Sequence, residues 1–138
     1  MTTTQEGSAL DPDTLTATMS GTVDTYLEAY GEADVARRTT LIRSVWASGG
    51  RLLDPPLDGE GHVGISALTD IVHAHYPGHT FRRTSAVDSH HGVARYAWEL
   101  VGPDGTVAVS GLDVAEFGTD GKLVRVLGFF GELQPKAA

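Results

Sequence analysis

Asp113 stands in the run SGLDVAEF, where residues alternate as they do along a β-strand. The acid shares its face with Val107, Val109, Gly111, Ala115 and Phe117. An ionised carboxylate among such neighbours is costly to bury, so Asp113 must be paired, hydrogen-bonded or protonated. Asp54 directly precedes Pro55 and Pro56, and the residue before a proline is held extended. Tyr26 falls on the apolar stripe of a helical stretch, which turns its hydroxyl inward toward a required partner. Each has a purely structural reading beside a chemical one. Asp113 can be a buried acid satisfied by backbone or by Tyr26, Tyr26 a core tyrosine, and Asp54 a turn or capping residue.

Other chemistries are poorly supplied. The 138 residues include no cysteine, which excludes disulfides, thiolate catalysis and cysteine-based zinc sites. His73 and His75 are two apart on a helical stretch and face different directions, while His90 and His91 sit in a turn. Neither H-E-x-x-H nor a carboxylate–histidine facial pattern occurs, so no metal and no cofactor is expected. No G-x-S-x-G is present, and DGEGHVG lacks the context of a phosphate-cradling loop. The net charge is −8, and cationic residues are scattered apart from Arg37-Arg38 and Arg82-Arg83. Nucleic acid and anionic membranes are therefore not expected partners. No apolar run is long enough to span a bilayer, and MTTTQEGSALDPD does not read as a secretory signal, so a cytoplasmic protein is expected.

The elements that must position these residues follow from periodicity. Residues 1–10 read as a disordered tail, 11–133 as a single domain and 134–138 as a C-terminal tail. A first helix starts at Asp11-Pro12 or, because Gly21 weakens it, at Ser20, and stops at Gly31, with Leu15, Met19, Val23, Tyr26, Leu27 and Tyr30 as its stripe. A second runs over about 34–48 and buries Val35, Leu41, Ile42, Val45 and Trp46. RLLD is a short strand, PPLDGEG a loop, and 64–75 a third helix burying Ile65, Leu68, Ile71 and Val72. The period then changes to two, predicting strands over about 79–88, 93–101, 106–118 and 121–131 joined by hairpin turns. Helices followed by a meander mean an α+β domain, with helices on one face of a curled sheet. Leu112 and Val114 leave the outer face apolar, which predicts a homodimer through it.

VDTYLEAYGEADV, RLLDPPLDGEGHVGISAL, SGLDVAEFGTDGKLV and LGFFGEL, in this order, resemble the ketosteroid-isomerase and SnoaL-like branch of the nuclear-transport-factor-2-like superfamily. The resemblance spans about residues 20 to 133. It implies a conical α+β barrel, with three N-terminal helices closing a curved, mainly antiparallel sheet around an apolar pocket. It also implies Asp54 as general base, with Tyr26 and a neutral Asp113 as oxyanion donors, since in the isomerase branch an apolar site keeps one carboxylic acid protonated. Pocket lining is expected from Trp46, Tyr96, Trp98, Val109, Ala115 and Phe117. Histidines serve as bases in dehydratase relatives, so His75, His79 or His91 is a further candidate at the pocket mouth. The last strand offers no acid, unlike the limonene-epoxide-hydrolase branch. Two functions are implied: a cofactor-independent isomerase, dehydratase or cyclase acting on an apolar carbonyl compound, or a non-catalytic ligand-binding or dimerisation module.

Overall fold

The computed structural model describes residues 11–137, so the predicted N-terminal tail lies outside the described residues. Asp11 caps the first helix, α1 (Pro12–Tyr30), its carboxylate accepting from the Thr14 amide at 2.9 Å, and Gly31 ends it. Asp34 caps α2 (Val35–Val45) in the same way. There follow β1 (Trp46–Asp54), β2 (Leu57–Glu60), α3 (Gly61–His75), β3 (Thr80–Arg83), β4 (Asp88–His90), β5 (Val93–Val101), β6 (Val107–Phe117) and β7 (Leu123–Phe130). The sheet runs β2-β1-β7-β6-β5-β3, with β4 also pairing β5. Every pairing is antiparallel except that of β1 with β7. Three helices on a mixed, mostly antiparallel and unclosed sheet make the predicted α+β cone. No helix among the described residues is long and apolar enough to cross a membrane.

Several local expectations are corrected. The second helix stops at Val45 rather than at residue 48, and SVWASGG turns into strand at Trp46. Two consecutive glycines each cost a helix about 1 kcal/mol, whereas a strand here gains a parallel partner in β7. The stretch after Pro56 is not loop: Leu57–Glu60 folds back on β1, pairing Leu57 with Asp54 and Glu60 with Arg51. The strand expected over 79–88 is split into β3 and β4, both on β5. Leu15, Val35, Ile71 and Val107 are exposed, and Arg38, read as one of a scattered pair of charges, is buried.

The core lies between the helices and the inward face of the sheet. Met19, Val23, Tyr26, Leu27 and Tyr30 of α1 meet Ile42 and Val45 of α2, Ile65, Leu68 and Val72 of α3, and Ala94, Tyr96, Trp98, Ala115 and Val126 of the sheet. On β5 and β6 the inward and outward residues alternate as predicted, which sends Asp113 inward at 3% exposure. Gly111 lies opposite Trp98, and a Cβ there would stand 2.4 Å from the indole. Only a glycine lets that ring cross β6 on its way to Asp113.

Candidate active site

One row crosses four strands. Tyr96 on β5 is the register partner of Asp113 on β6, and Asp113 is the partner of Gly128 on β7. The parallel pairing of Leu53 with Leu127 sets Asp54 beside Gly128. A Cβ on Gly128 would stand 2.1 Å from Asp54 Oδ1 and 3.1 Å from Asp113 Oδ1. Both carboxyl oxygens therefore lie above the glycine, no farther apart than those two distances together. Both acids are buried, Asp54 at 5% and Asp113 at 3% exposure.

Their hydrogen bonds come from neutral donors. Tyr96 Oη donates to Asp113 Oδ2 and Trp98 Nε1 to Asp113 Oδ1, each at 2.8 Å. Tyr30 Oη donates to Asp54 Oδ2 at 2.9 Å, and Asp54 Oδ1 is buried with no partner. Burial raises both acids above the usual carboxylate range: Asp54 to about 6, with the Tyr30 hydrogen bond opposing, and Asp113 to about 7. For Asp113 the Tyr96 and Trp98 hydrogen bonds lower the value and the neighbouring Asp54 charge raises it. Burial also pushes the phenols of Tyr26, Tyr30 and Tyr96 upward, and nearby carboxylates add to the rise, so these hydroxyls stay protonated donors.

Asp54 opens onto a cavity of about 340 Å³. The wall is mostly apolar and aromatic: Pro55, Pro56, Leu57, Ile71, Val72, Tyr76, Phe81, Trp98, Leu100, Val109 and Phe130, with Tyr30, Asp54 and His75 as polar members. Tyr30 stacks on Phe81 with ring centres 4.6 Å apart, and Phe81 and Phe130 each meet Trp98 edge to face. His75 donates from Nδ1 to the Ile71 carbonyl at 3.0 Å, which leaves the lone pair of a neutral ring on Nε2.

The structure brings Asp54 and Asp113 together and sets Tyr26 behind the wall. Tyr26 packs against Tyr30 and, edge to face, against Trp46, and neither Tyr26 nor Asp113 lines the cavity. Of the expected lining residues, Trp98 and Val109 are in the wall. Tyr96 is spent on Asp113, Trp46 and Ala115 are buried in the core, and Phe117 packs against it from the edge. Among the histidines only His75 lines the cavity. No group of three or more His, Asp or Glu among the described residues could hold a metal ion.

Tyr30 and Gly128 were missed as site residues. Tyr30 had a signal, since it lies one helical turn after Tyr26 on the same stripe. Gly128 had none short of the strand register.

No protein-family model matches the chain, and no curated protein matches it. Solved structures do. A SnoaL-like family protein from Agrobacterium tumefaciens, named as a candidate isomerase, is 34% identical, with a TM-score of 0.77 over 86% of this chain and 99% of that one. A protein of Jannaschia sp., named as a candidate SnoaL-like polyketide cyclase, is 16% identical over 88% of this chain and 91% of its own, with a TM-score of 0.69. A protein with a ketosteroid isomerase-like fold from Catenulispora acidiphila, solved with trimethylamine, is 12% identical over 78% of this chain and 83% of its own, with a TM-score of 0.63. The last two likenesses establish the fold alone.

Proposed function

Because the chain belongs to the SnoaL-like family, we propose that it is a small acid–base enzyme of the isomerase, dehydratase or cyclase kind, acting on an apolar molecule that carries a carbonyl. The observation that carries this reading is Asp54, a buried carboxyl held by a single neutral donor, in the wall of an aromatic cavity. The Asp54 carboxylate takes a proton from the carbon next to the carbonyl, leaving an enolate. The resulting carboxylic acid returns the proton to another carbon, so none is lost to solvent. A base that titrates near 6 is ionised at neutral pH and still accepts a proton more readily than an ordinary aspartate.

The Tyr30 hydroxyl steers this exchange. It donates to Asp54 in the free protein. Once Asp54 has taken the substrate proton it is a poorer acceptor, and the hydroxyl turns to the nascent enolate oxygen. Tyr26 and Asp113, the donors implied by the family resemblance, stand one layer behind. His75, whose Nε2 lone pair is uncommitted, is the group at hand to take up a proton as a second base in a dehydratase form of the reaction.

The test is turnover of a panel of β,γ-unsaturated ketones, followed by absorbance of the conjugated product. Asp54→Asn should lose about 100-fold or more in kcat, the usual range for a general base. Wild-type protein that converts none of the panel removes the isomerase form of the reading.

The homodimer is also proposed, through the outer sheet face where Leu112 and Phe129 are exposed cross-strand partners. Light scattering on wild type and Phe129→Glu checks it: a dimer that the charge dissociates is expected, and a monomeric wild type removes it.

A further inference from the structure

Three neutral donors serve the four oxygens of Asp54 and Asp113, and the oxygen left over is Asp54 Oδ1. A buried carboxylate oxygen without a donor is expensive. It lies with Asp113 Oδ1 above the one position in the row that has no side chain. Among the described residues no lysine or arginine bonds to either acid. The missing donor is supplied if one of the two carboxyls keeps a proton and gives it to the other.

We propose that Asp54 and Asp113 work as one unit holding a single proton between them above Gly128, so that Asp113 is a positioning residue for the base at Asp54. Its consequence for turnover rests on the reading of Asp54 as base; the unit itself does not. Trp98 Nε1 and Tyr96 Oη keep Asp113 in place, and a protonated Oδ1 can accept from the indole while donating to Asp54. In the singly protonated state Asp54 is the anionic end and therefore the base. Taking a proton from substrate brings the unit to two protons, and returning it restores one. Burial raises both acids, and the Asp54 charge raises Asp113 further.

The titratable groups facing the pair are Tyr26 and Tyr30 from α1, Tyr96 from β5 and, at the cavity wall, His75 from α3; the Arg83 charge acts on Tyr96. The phenols remain protonated over the range that matters, which leaves the two carboxyls as the coupled sites.

Carboxyl carbon resonances of the full chain labelled at aspartate, followed from pH 3 to pH 10, test the proposal without any substrate. In wild type both resonances should show two inflections separated by more than about 1 pH unit, because each carboxyl senses the other's ionisation. Asp113→Asn should reduce Asp54 to one inflection and move its midpoint by about 1 unit or more, and Asp54→Asn should do the same to Asp113, since coupling is reciprocal. Gly128→Ala places a methyl against both oxygens and should weaken the coupling. Independent single inflections in wild type overturn the proposal even if no variant folds. So does an Asp54 midpoint unmoved by Asp113→Asn. Coupled titrations in a protein that converts no ketone leave the unit standing and remove the base; Asp54-dependent turnover with uncoupled titrations removes the unit and leaves the base.

Discussion

Arg38 and Asp113 are equally hidden, at 1% and 3% exposure, yet their charges are answered in opposite ways. The Arg38 guanidinium donates to the Glu32 carbonyl at 3.2 Å and to Asp70 Oδ1 at 2.9 Å. Asp70 itself is 68% exposed, so the pair has one end in the core and the other in water. A guanidinium cannot give up its proton, and the fold has to bring it a counter-charge. Asp113 receives a phenol, an indole and a second acid, none of them positive. What answers its charge is a proton. A buried cation with a carboxylate partner is locked, whereas a buried acid with neutral donors can still exchange, and only the second kind of site can move protons for a substrate.

The contrast has a thermodynamic signature. Asp54 and Asp113 are raised in the folded protein to about 6 and about 7, while the unfolded chain titrates near the ordinary carboxylate value. Between those limits the folded state binds more protons, so stability falls as pH rises. The contribution is complete below about pH 4 and is lost by the time pH passes the folded values near 7. Urea unfolding should therefore show wild type losing stability between pH 5 and pH 8. Asp113→Asn, which has no proton to lose, should lose about 2 kcal/mol less over the same interval. Parallel pH profiles for the two proteins would mean that the carboxyl at 113 is not held protonated by the fold.

How much of this was readable beforehand divides along the same line. Local rules carried the end of α1 at Gly31 and one of the two starts they offered, the cap at Asp11-Pro12, and the inward direction of Asp113, which needs only the period of a strand. They failed where a distant partner decides. SVWASGG becomes strand because β7, more than 70 residues later, offers it a parallel edge, and the same pairing sets Asp54 beside Gly128. Neither the meeting of the two acids nor the need for a glycine beneath them is written within either strand. Arg38 was missed for a related reason: its burial depends on α3 presenting Asp70, 32 residues on. Tyr30 differs, because helical spacing already put it on the stripe of Tyr26, and only the identity of its acceptor was hidden.

The cation side of the comparison should give the smallest effect and the flattest profile. Asp70→Asn removes a charge that water already solvates, and the amide oxygen can still accept from Arg38. The guanidinium also keeps its bond to the Glu32 carbonyl. The cost should stay within about 1 kcal/mol, as for exposed ion pairs, despite the burial of the arginine. Because the guanidinium holds its charge throughout, the difference from wild type should be the same at pH 5 and at pH 8 in the urea series used for Asp113→Asn. A pH-dependent loss at Asp70 matching that at Asp113 would erase the distinction between a locked charge and an exchangeable one. A flat offset at position 70 beside a sloping one at position 113 confines the exchangeable proton to the acids under the cavity.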